Sequence, residues 1–481
     1  MKKNRTNIAI ILIFSLIFVL LTKNYYIGDD TIFHTSNIIS YTNSKITPIL
    51  LNNLGYGINI FYPPLPHFIG SIIYHITNNM TITIKFLEWI SFFLAGLTMY
   101  FYINTIFNKK ETSLITSLLY ISMPYLFTDV VTRGALNESF MFFILPLIFL
   151  SFHYLQNNKE KNFYIYFIIS FTLSIYTHLV LTVYITIISM IYLLLSNKKI
   201  ITKNNIKRLF IGTIIVLCIT SNYWIPLLEH YYLKDYIIFL IEYTKEKSVI
   251  TLPLYYYFFP KIYLSGANHI LRFNINPLSL IFLALTYIII YKQKIKEEHK
   301  KQILIFIAIT IIVLIPESTN IIWKIIPNIL KNIQFAWRLS LINAFTISII
   351  AGYGINIFKK KKIITILVIL ILGIMNIHTT ITTKQNITKN SPLNATCCSY
   401  IWQQEYLPKN AKENIYYLKK RNEDIITDNE IITPKKDKNM NLKFKIDNTP
   451  TEIELPRIYY LGYELKTKNK NISKQKGINL S

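Results

Sequence analysis

Three cysteines in 481 residues are too few for a disulfide framework. Cys218 lies in an apolar block, where cysteine behaves as a small hydrophobe. Cys397 and Cys398 are adjacent, so any bridge between them would be vicinal and strained, and no redox role follows. No set of His, Cys, Asp or Glu has a recognisable zinc spacing. No P-loop, GxSxG or GxGxxG string occurs, which leaves nucleotide hydrolysis unsupported. Neither an internal repeat nor a coiled-coil heptad stands out. Charge is sparse at 16%, and acid is its scarcer half: 25 Asp and Glu stand against 51 Lys and Arg, a net charge of +26.

Hydrocarbon fills the place of charge. Hydrophobic residues make up 52% of the chain and aromatics 15%. They arrive in blocks of roughly 16 to 25 residues, the length a helix needs to cross a bilayer. Runs such as IAIILIFSLIFVLL and IITILVILILGIM cannot all be cores of small soluble globules. The lysines fall in the links between blocks: NKK at 108–110, NKEKN at 158–162, NKKIITKNNIKR at 197–208, KQKIKEEHKK at 292–301 and KKKK at 359–362. In a soluble chain such an excess would suggest phosphate neutralisation on nucleic acid. Confined to short links it is the chemistry of cytoplasmic loops, and nucleic acid is set aside.

With every lysine-rich link placed inside, spans fall at about 6–22, 83–107, 112–128, 139–155, 162–177, 178–196, 208–227, 275–291, 303–316, 336–357 and 362–378. These make about eleven helices, N-terminus cytoplasmic and C-terminus extracytoplasmic, in a multi-pass protein of the cell membrane. The first block follows Met1, Lys2, Lys3 and Arg5 and resembles a signal-peptide core. It ends in Thr22, Lys23 and Asn24 without a small-residue cleavage site, so it reads as a retained signal anchor. The alternation holds only if FYPPLPHFIGSIIYHI, at 61–76, does not cross. With Pro63, Pro64 and Pro66 at its start, it reads as a re-entrant or surface-lying segment within a first external loop of about 23–82. The membrane domain is therefore expected over 1–378. From 379 to 481 the chain turns polar, and the period-two stretches LKFKI and IELPRIYYLGYEL predict a small β-containing extracytoplasmic domain.

This alternation puts Asp29, Asp30, His34, Asp129, Arg133, Glu138, His178, Glu229, His230, Arg272 and Arg338 on one side of the membrane. In YYIGDDTIFHTSNIISY, Gly28 breaks the helix and Asp29 and Asp30 open the next one, whose spacing sets His34, Asn37 and Tyr41 on one face. Either acid is a good N-cap, worth about 1 kcal/mol. Two adjacent carboxylates near the membrane face also raise each other's pKa, which suits a general base or a ligand to a divalent cation such as Mg or Mn. In TDVVTRGALNESF, Asp129 and Arg133 are spaced for an i,i+4 bridge worth only ~0.3–0.5 kcal/mol. Gly134 and Asn137 predict a helix end there. Glu138 opens the following span close to the membrane surface, where an ionisable group is expensive and suggests function.

Among the 51 basic residues only seven are arginine, yet Arg133, Arg272 and Arg338 all fall at the outer boundary. A guanidinium grips phosphate in a planar fork that an ammonium lacks, which makes these three candidates for holding a lipid phosphate. The plainer alternative is that they snorkel to the interface. His178, in IYTHLVLT, sits at a tight outside turn, with substrate or its own turn as hydrogen-bond partner.

Taken together, the acid pair after span one and the strings FYPPLPHFIG, TRGALNE, QFAWRL, EYLP and LPRIYYLGYEL resemble the membrane-embedded glycosyltransferases of the GT-C fold. Within these, they resemble the bacterial and archaeal membrane family labelled "6-pyruvoyl-tetrahydropterin synthase-related". Nothing in the chain resembles the three-histidine zinc site of a pterin synthase, so the label is not read literally. The resemblance runs over nearly the whole chain through short, loose motifs. It implies an α-helical polytopic GT-C-like fold and a polyprenyl-phosphate-linked sugar donor approached from the lipid bilayer. It also implies a glycan, lipid or protein acceptor presented from outside. An acid of the first external loop, matched by Asp29 or Asp30, would be the catalytic base or metal ligand. Glu138 joins the candidate catalytic set. Arg133, Arg272, Arg338, His34 and His178 are the candidates for substrate binding, although no defined family motif is matched to each arginine.

Elementary chemistry points the same way. Outside the cell there is no nucleotide-sugar supply, so a transferase there needs a membrane-soluble donor. It also needs cations for the leaving phosphate and a carboxylate to deprotonate the acceptor. In-line displacement would invert the anomeric carbon. A lipid or polysaccharide transporter is one rival, expected to show broken mid-membrane helices in matching halves, and the sequence shows neither. A non-enzymatic cell-envelope assembly protein is another, and its function would survive the loss of Asp29, Asp30 or Glu138.

Overall fold

The computed structural model describes residues 2–21, 28–43, 54–55, 57–196, 202–233, 236–237, 249–260, 263–264, 270–385, 406–437, 441–446, 450 and 452–460. Cys397, Cys398 and the end of the LPRIYYLGYEL string lie outside the described residues. The chain divides into two compact units, one of residues 1–31, 84–221 and 247–392, the other of residues 32–83, 222–246 and 393–481.

The first unit is a helical membrane body. Each of the eleven sequence-predicted spans contains helix where described, though not each is one unbroken helix. Six helices are long and apolar enough to cross a membrane, or eight if each of two bent pairs is one span; Asn4–Leu20 and Pro277–Tyr291 are shorter apolar helices. The segment Ala336–Ile357 is central, with 89% of its apolar window buried, whereas Lys361–Thr382 is peripheral at 28%. Around the centre, Phe149 packs against Tyr192 and Phe345, and Phe306 stacks on Tyr192.

One span departs from the straight helix expected over 112–128. Lys110–Ile121 and Pro124–Arg133 meet at a 48° bend. Pro124 has no N–H to give and clashes with the preceding turn, so the helix must break before it. The backbone groups freed at the break find side chains, as a helix in lipid requires. Asn276 Nδ2 donates to the Ser122 carbonyl at 3.2 Å, and Asn376 Nδ2 donates to Ser122 Oγ at 2.9 Å.

The second unit is tied together by aromatic rings. Phe61 stacks on Tyr406 at 5.2 Å, Tyr236 stacks on Tyr460 at 5.8 Å, and Leu54, Leu407, Leu418 and Ile458 complete the buried cluster. Backbone bonds run from Ile458 N–H to the Leu54 carbonyl and from Ile237 N–H to the Leu407 carbonyl. The FYPPLPHFIG, EYLP and LPRIYYLGYEL strings thus meet in one core. Short strands follow the period-two pattern: Ile425–Thr427 pairs antiparallel with Ile431–Ile432 on one side and Ile453–Glu454 on the other. The apolar part of 61–76 forms the helix Leu65–Thr77. At 13 residues it is about 20 Å long, well short of the ~30 Å hydrocarbon layer.

Candidate active site

The site begins with a π-helical turn, Thr128–Arg133, placed just past the break at Pro124. Such turns interrupt α-helices mostly at functional sites, because they re-aim side chains. The turn ends at Gly134, whose φ of 66° is open to glycine at no steric cost. A Cβ at Gly134 would lie 2.2 Å from Thr31 Oγ1, and one at Gly28 would lie 2.6 Å from the Arg133 carbonyl carbon. The two glycines therefore let the Gly28–Thr31 turn dock directly on the Arg133–Gly134 backbone. Asp30 N–H donates to the Arg133 carbonyl at 2.8 Å, and Gly28 N–H donates to Thr31 Oγ1 at 2.9 Å. An acid from the start of the chain is thereby fixed beside an arginine more than a hundred residues later.

Arg133 serves three carboxylates. Its Nη1 donates to Asp129 Oδ1 at 2.6 Å and to Glu138 Oε2 at 2.8 Å, its Nη2 donates to Glu138 Oε1 at 2.9 Å, and Asp30 Oδ2 lies 3.5 Å from Nη2. Arg338 adds a second guanidinium, with Nε donating to Glu138 Oε1 at 2.9 Å and Nη1 to the Ile333 carbonyl at 2.7 Å. Asp129, Arg133 and Glu138 are all buried. The Asp129–Arg133 pair is therefore not the weak surface bridge that its spacing suggested, and removing one member would strand a buried charge at a cost of about 3–5 kcal/mol. Asp129 Oδ2 is buried with no hydrogen-bond partner among the described residues.

Asp30 differs from its partners in keeping contact with solvent, its side chain being 38% exposed. Desolvation nevertheless raises its pKa above the ordinary aspartate range; Glu138 and Asp29 push the same way, and Arg133 and Arg338 oppose. His178 lies within electrostatic reach of Glu138, Arg338 and Arg133. Asn137 Nδ2 brings its segment in by donating to the Thr177 carbonyl at 2.7 Å. Burial pushes the His178 pKa down to about 4 against the pull of Glu138, which leaves the ring neutral at physiological pH. Leu181 N–H donates to Nδ1 at 3.2 Å, so the neutral ring carries its proton on Nε2.

Two further predicted site residues have contacts of their own. Arg272 docks its backbone on Thr128 Oγ1, and its guanidinium Nη2 donates to Thr382 Oγ1 at 3.1 Å. His34 belongs to the second unit, where its Nδ1 lies 2.7 Å from His67 Nε2. Asp29 sits in the turn beside Asp30. Among the described residues, no group of three or more His, Cys, Asp or Glu is arranged to hold a metal ion. The carboxylates that converge, Asp30, Asp129 and Glu138, face guanidinium groups.

Sequence reasoning missed Glu317. It is fully buried, and its carboxylate accepts from Ser340 Oγ at 2.8 Å and Asn343 Nδ2 at 2.6 Å, pinning the first turn of helix Ser340–Tyr353 just after Arg338. The signal was present: the predicted span 303–316 stops immediately before this acid. His67 was likewise passed over inside the FYPPLPHFIG string, though burial brings its pKa down to about 3.

A protein-family model described as "6-pyruvoyl-tetrahydropterin synthase related domain; membrane protein" matches residues 60–387. No curated protein sequence matches the chain. Two solved structures similar to the chain are ArnT from Cupriavidus metallidurans bound to undecaprenyl phosphate and the oligosaccharyltransferase of Archaeoglobus fulgidus in complex with Zn and sulfate. The first has a TM-score of 0.46 at 12% identity, over 73% of this chain and 60% of that one. The second has a TM-score of 0.40 at 13% identity, over 85% of this chain and 57% of that one. The chain thus spans less than two thirds of the length of either.

Proposed function

The chain belongs to the 6-pyruvoyl-tetrahydropterin synthase-related family of membrane proteins, and from that premise we propose that it is a GT-C-type glycosyltransferase. In this reading it moves a sugar from a polyprenyl-phosphate-linked donor to an acceptor hydroxyl on the extracytoplasmic side of the membrane. The observation that carries the reading is Asp30, a carboxylate of raised pKa with access to solvent, anchored through its own backbone to the arginine beside it. Such a group takes a proton from a hydroxyl more readily than an ordinary aspartate does.

In the proposed step, the acceptor oxygen attacks the anomeric carbon while the bond from that carbon to the phosphate oxygen breaks. The hydroxyl proton passes to Asp30, and the bonding electrons leave with the lipid phosphate. In-line attack inverts the anomeric carbon. Arg133 is engaged by three acids, so its role is to hold Asp30 and Glu138 in place. The remaining donors for the leaving phosphate are Arg338 and the Nε2–H of neutral His178, with Arg272 as a further candidate.

The bend before Pro124 favours a second reading, because transporters of lipid-linked substrates build their sites on broken spans. Reconstitution in proteoliposomes with a panel of polyprenyl-phosphate sugars separates the two by the mass of the product. The transferase reading expects a new covalent glycoside from a lipid-linked donor and none from nucleotide sugars. A lipid-linked sugar that changes leaflet with its mass unchanged would replace it with the transporter.

A further inference from the structure

The helices that carry the acid–arginine cluster at one end carry a different charged layer at the other. Within Ala336–Ile357, Arg338 and Tyr353 lie roughly 22 Å apart along the helix axis. Around the Tyr353 hydroxyl, Lys109 Nζ donates at 3.3 Å and His299 Nδ1 lies at 2.9 Å. Lys109 Nζ also sits 4.8 Å from the Tyr353 ring centre, and Phe107 meets the His299 and Tyr353 rings edge-on at 5.0 and 5.1 Å. Lys361 Nζ donates to Asn356 Oδ1 at 3.0 Å, and Asn356 Nδ2 donates to Thr112 Oγ1 at 3.2 Å.

None of Lys109, Lys296 and Lys361 has a carboxylate partner among the described residues. Burial together with Lys361 and Lys296 holds the pKa of half-buried Lys109 below the ordinary lysine range. Glu298 bears on His299. Two ammonium groups, Lys109 held by Tyr353 and Lys361 by Asn356, with Lys296 within electrostatic reach of Lys109, match an anion that offers several oxygens at once. Starting beside Lys361, Ile363, Ile366, Leu367 and Leu370 form an exposed stripe at helical spacing, each between 47% and 58% exposed. A free anion would leave that stripe unused, whereas an amphiphile would occupy both features.

We infer that this lysine–tyrosine cradle binds the phosphate of an anionic phospholipid from the adjoining leaflet, with its acyl chains along the Ile363–Leu370 stripe. Basic pockets between transmembrane helices are suited to such headgroups. The inference does not rest on the sugar-transfer reading.

The test is thermal unfolding of the full chain in nanodiscs of phosphatidylcholine, with and without phosphatidylglycerol. Phosphatidylglycerol should raise the midpoint for the wild type. The shift should be lost in Lys109→Gln/Lys361→Gln and kept in Lys292→Gln/Lys294→Gln, which removes the same charge from a neighbouring exposed loop. Equal loss in both double variants would show diffuse attraction and overturn the site, as would retention in the cradle variant. Inorganic phosphate added to phosphatidylcholine discs should not reproduce the shift; if it does, the ligand is the free anion and the lipid assignment fails. If the double variant does not insert, Tyr353→Phe removes only the hydroxyl that holds Lys109, and an undiminished phosphatidylglycerol shift in that variant also overturns the inference.

Discussion

The two units solve the same problem with opposite chemistry. Each must fasten segments far apart in sequence. The first does so at its candidate site with charge, through Asp30, Asp129, Arg133, Glu138 and Arg338. The second does so with rings and aliphatic side chains, through Phe61, Tyr236, Tyr406, Ile458 and Tyr460. The difference follows from what competes for each contact. Among helices apolar enough to sit in lipid, hydrocarbon packing gains little over contact with lipid tails, so polar contacts carry the specificity. In polar segments such as the C-terminal one that carries Tyr406, Ile458 and Tyr460, removing aromatic surface from water is itself the driving force.

The comparison can be broken most severely at Arg133. Arg133→Leu strands Asp129 and leaves Glu138 to Arg338 alone, and should cost about 3–5 kcal/mol, read as a large fall in the thermal midpoint in detergent. Replacing the pair together, as Asp129→Leu/Arg133→Met, keeps Glu138 on Arg338 and should recover most of that stability while transfer stays lost. A double variant as unstable as Arg133→Leu would mean that the cluster is a structural necessity.

Phe61→Ala should also cost about 3–5 kcal/mol, because it empties the ring stack in the second unit. In a circular dichroism melt the loss should persist across salt concentrations, since no charge is involved. A strongly salt-dependent loss would blur the distinction between the units.

A smaller effect lies in pH. The His178 pKa of about 4 is below the ~6.5 of an unfolded histidine, so between these values the unfolded chain binds more protons than the folded one. Stability should therefore fall as pH drops from about 6.5 toward 4. His178→Gln should flatten that slope; an unchanged slope would assign it to other groups.

The membrane body was legible in the sequence because apolar length and lysine placement are local signals. Gly134 as a helix end was equally local, but the break at Pro124, inside the span expected over 112–128, and the π-helical turn that follows it with Asp129 and Arg133 were not. The i,i+4 spacing of that pair is the same whether water or protein surrounds it, so burial and strength could not be read from it. Arg338 reaching Glu138 across 200 residues is a tertiary fact, as is the pairing of His34 with His67. The contacts of Arg272 are likewise tertiary: its backbone docks on Thr128 and its Nη2 donates to Thr382 Oγ1, neither of which residue type foretells. The strings that suggested the family divide between the units: the acid pair, TRGALNE and QFAWRL in one, FYPPLPHFIG, EYLP and LPRIYYLGYEL in the other.

The most direct measurement compares transfer rate and thermal midpoint on the same preparations of Asp29→Asn and Asp30→Asn. Loss of a general base should lower kcat/KM for Asp30→Asn by about 10²- to 10⁴-fold, with the midpoint unchanged and Asp29→Asn near wild type. Full transfer activity in Asp30→Asn, or an activity loss that merely follows a fallen midpoint, would contradict the account.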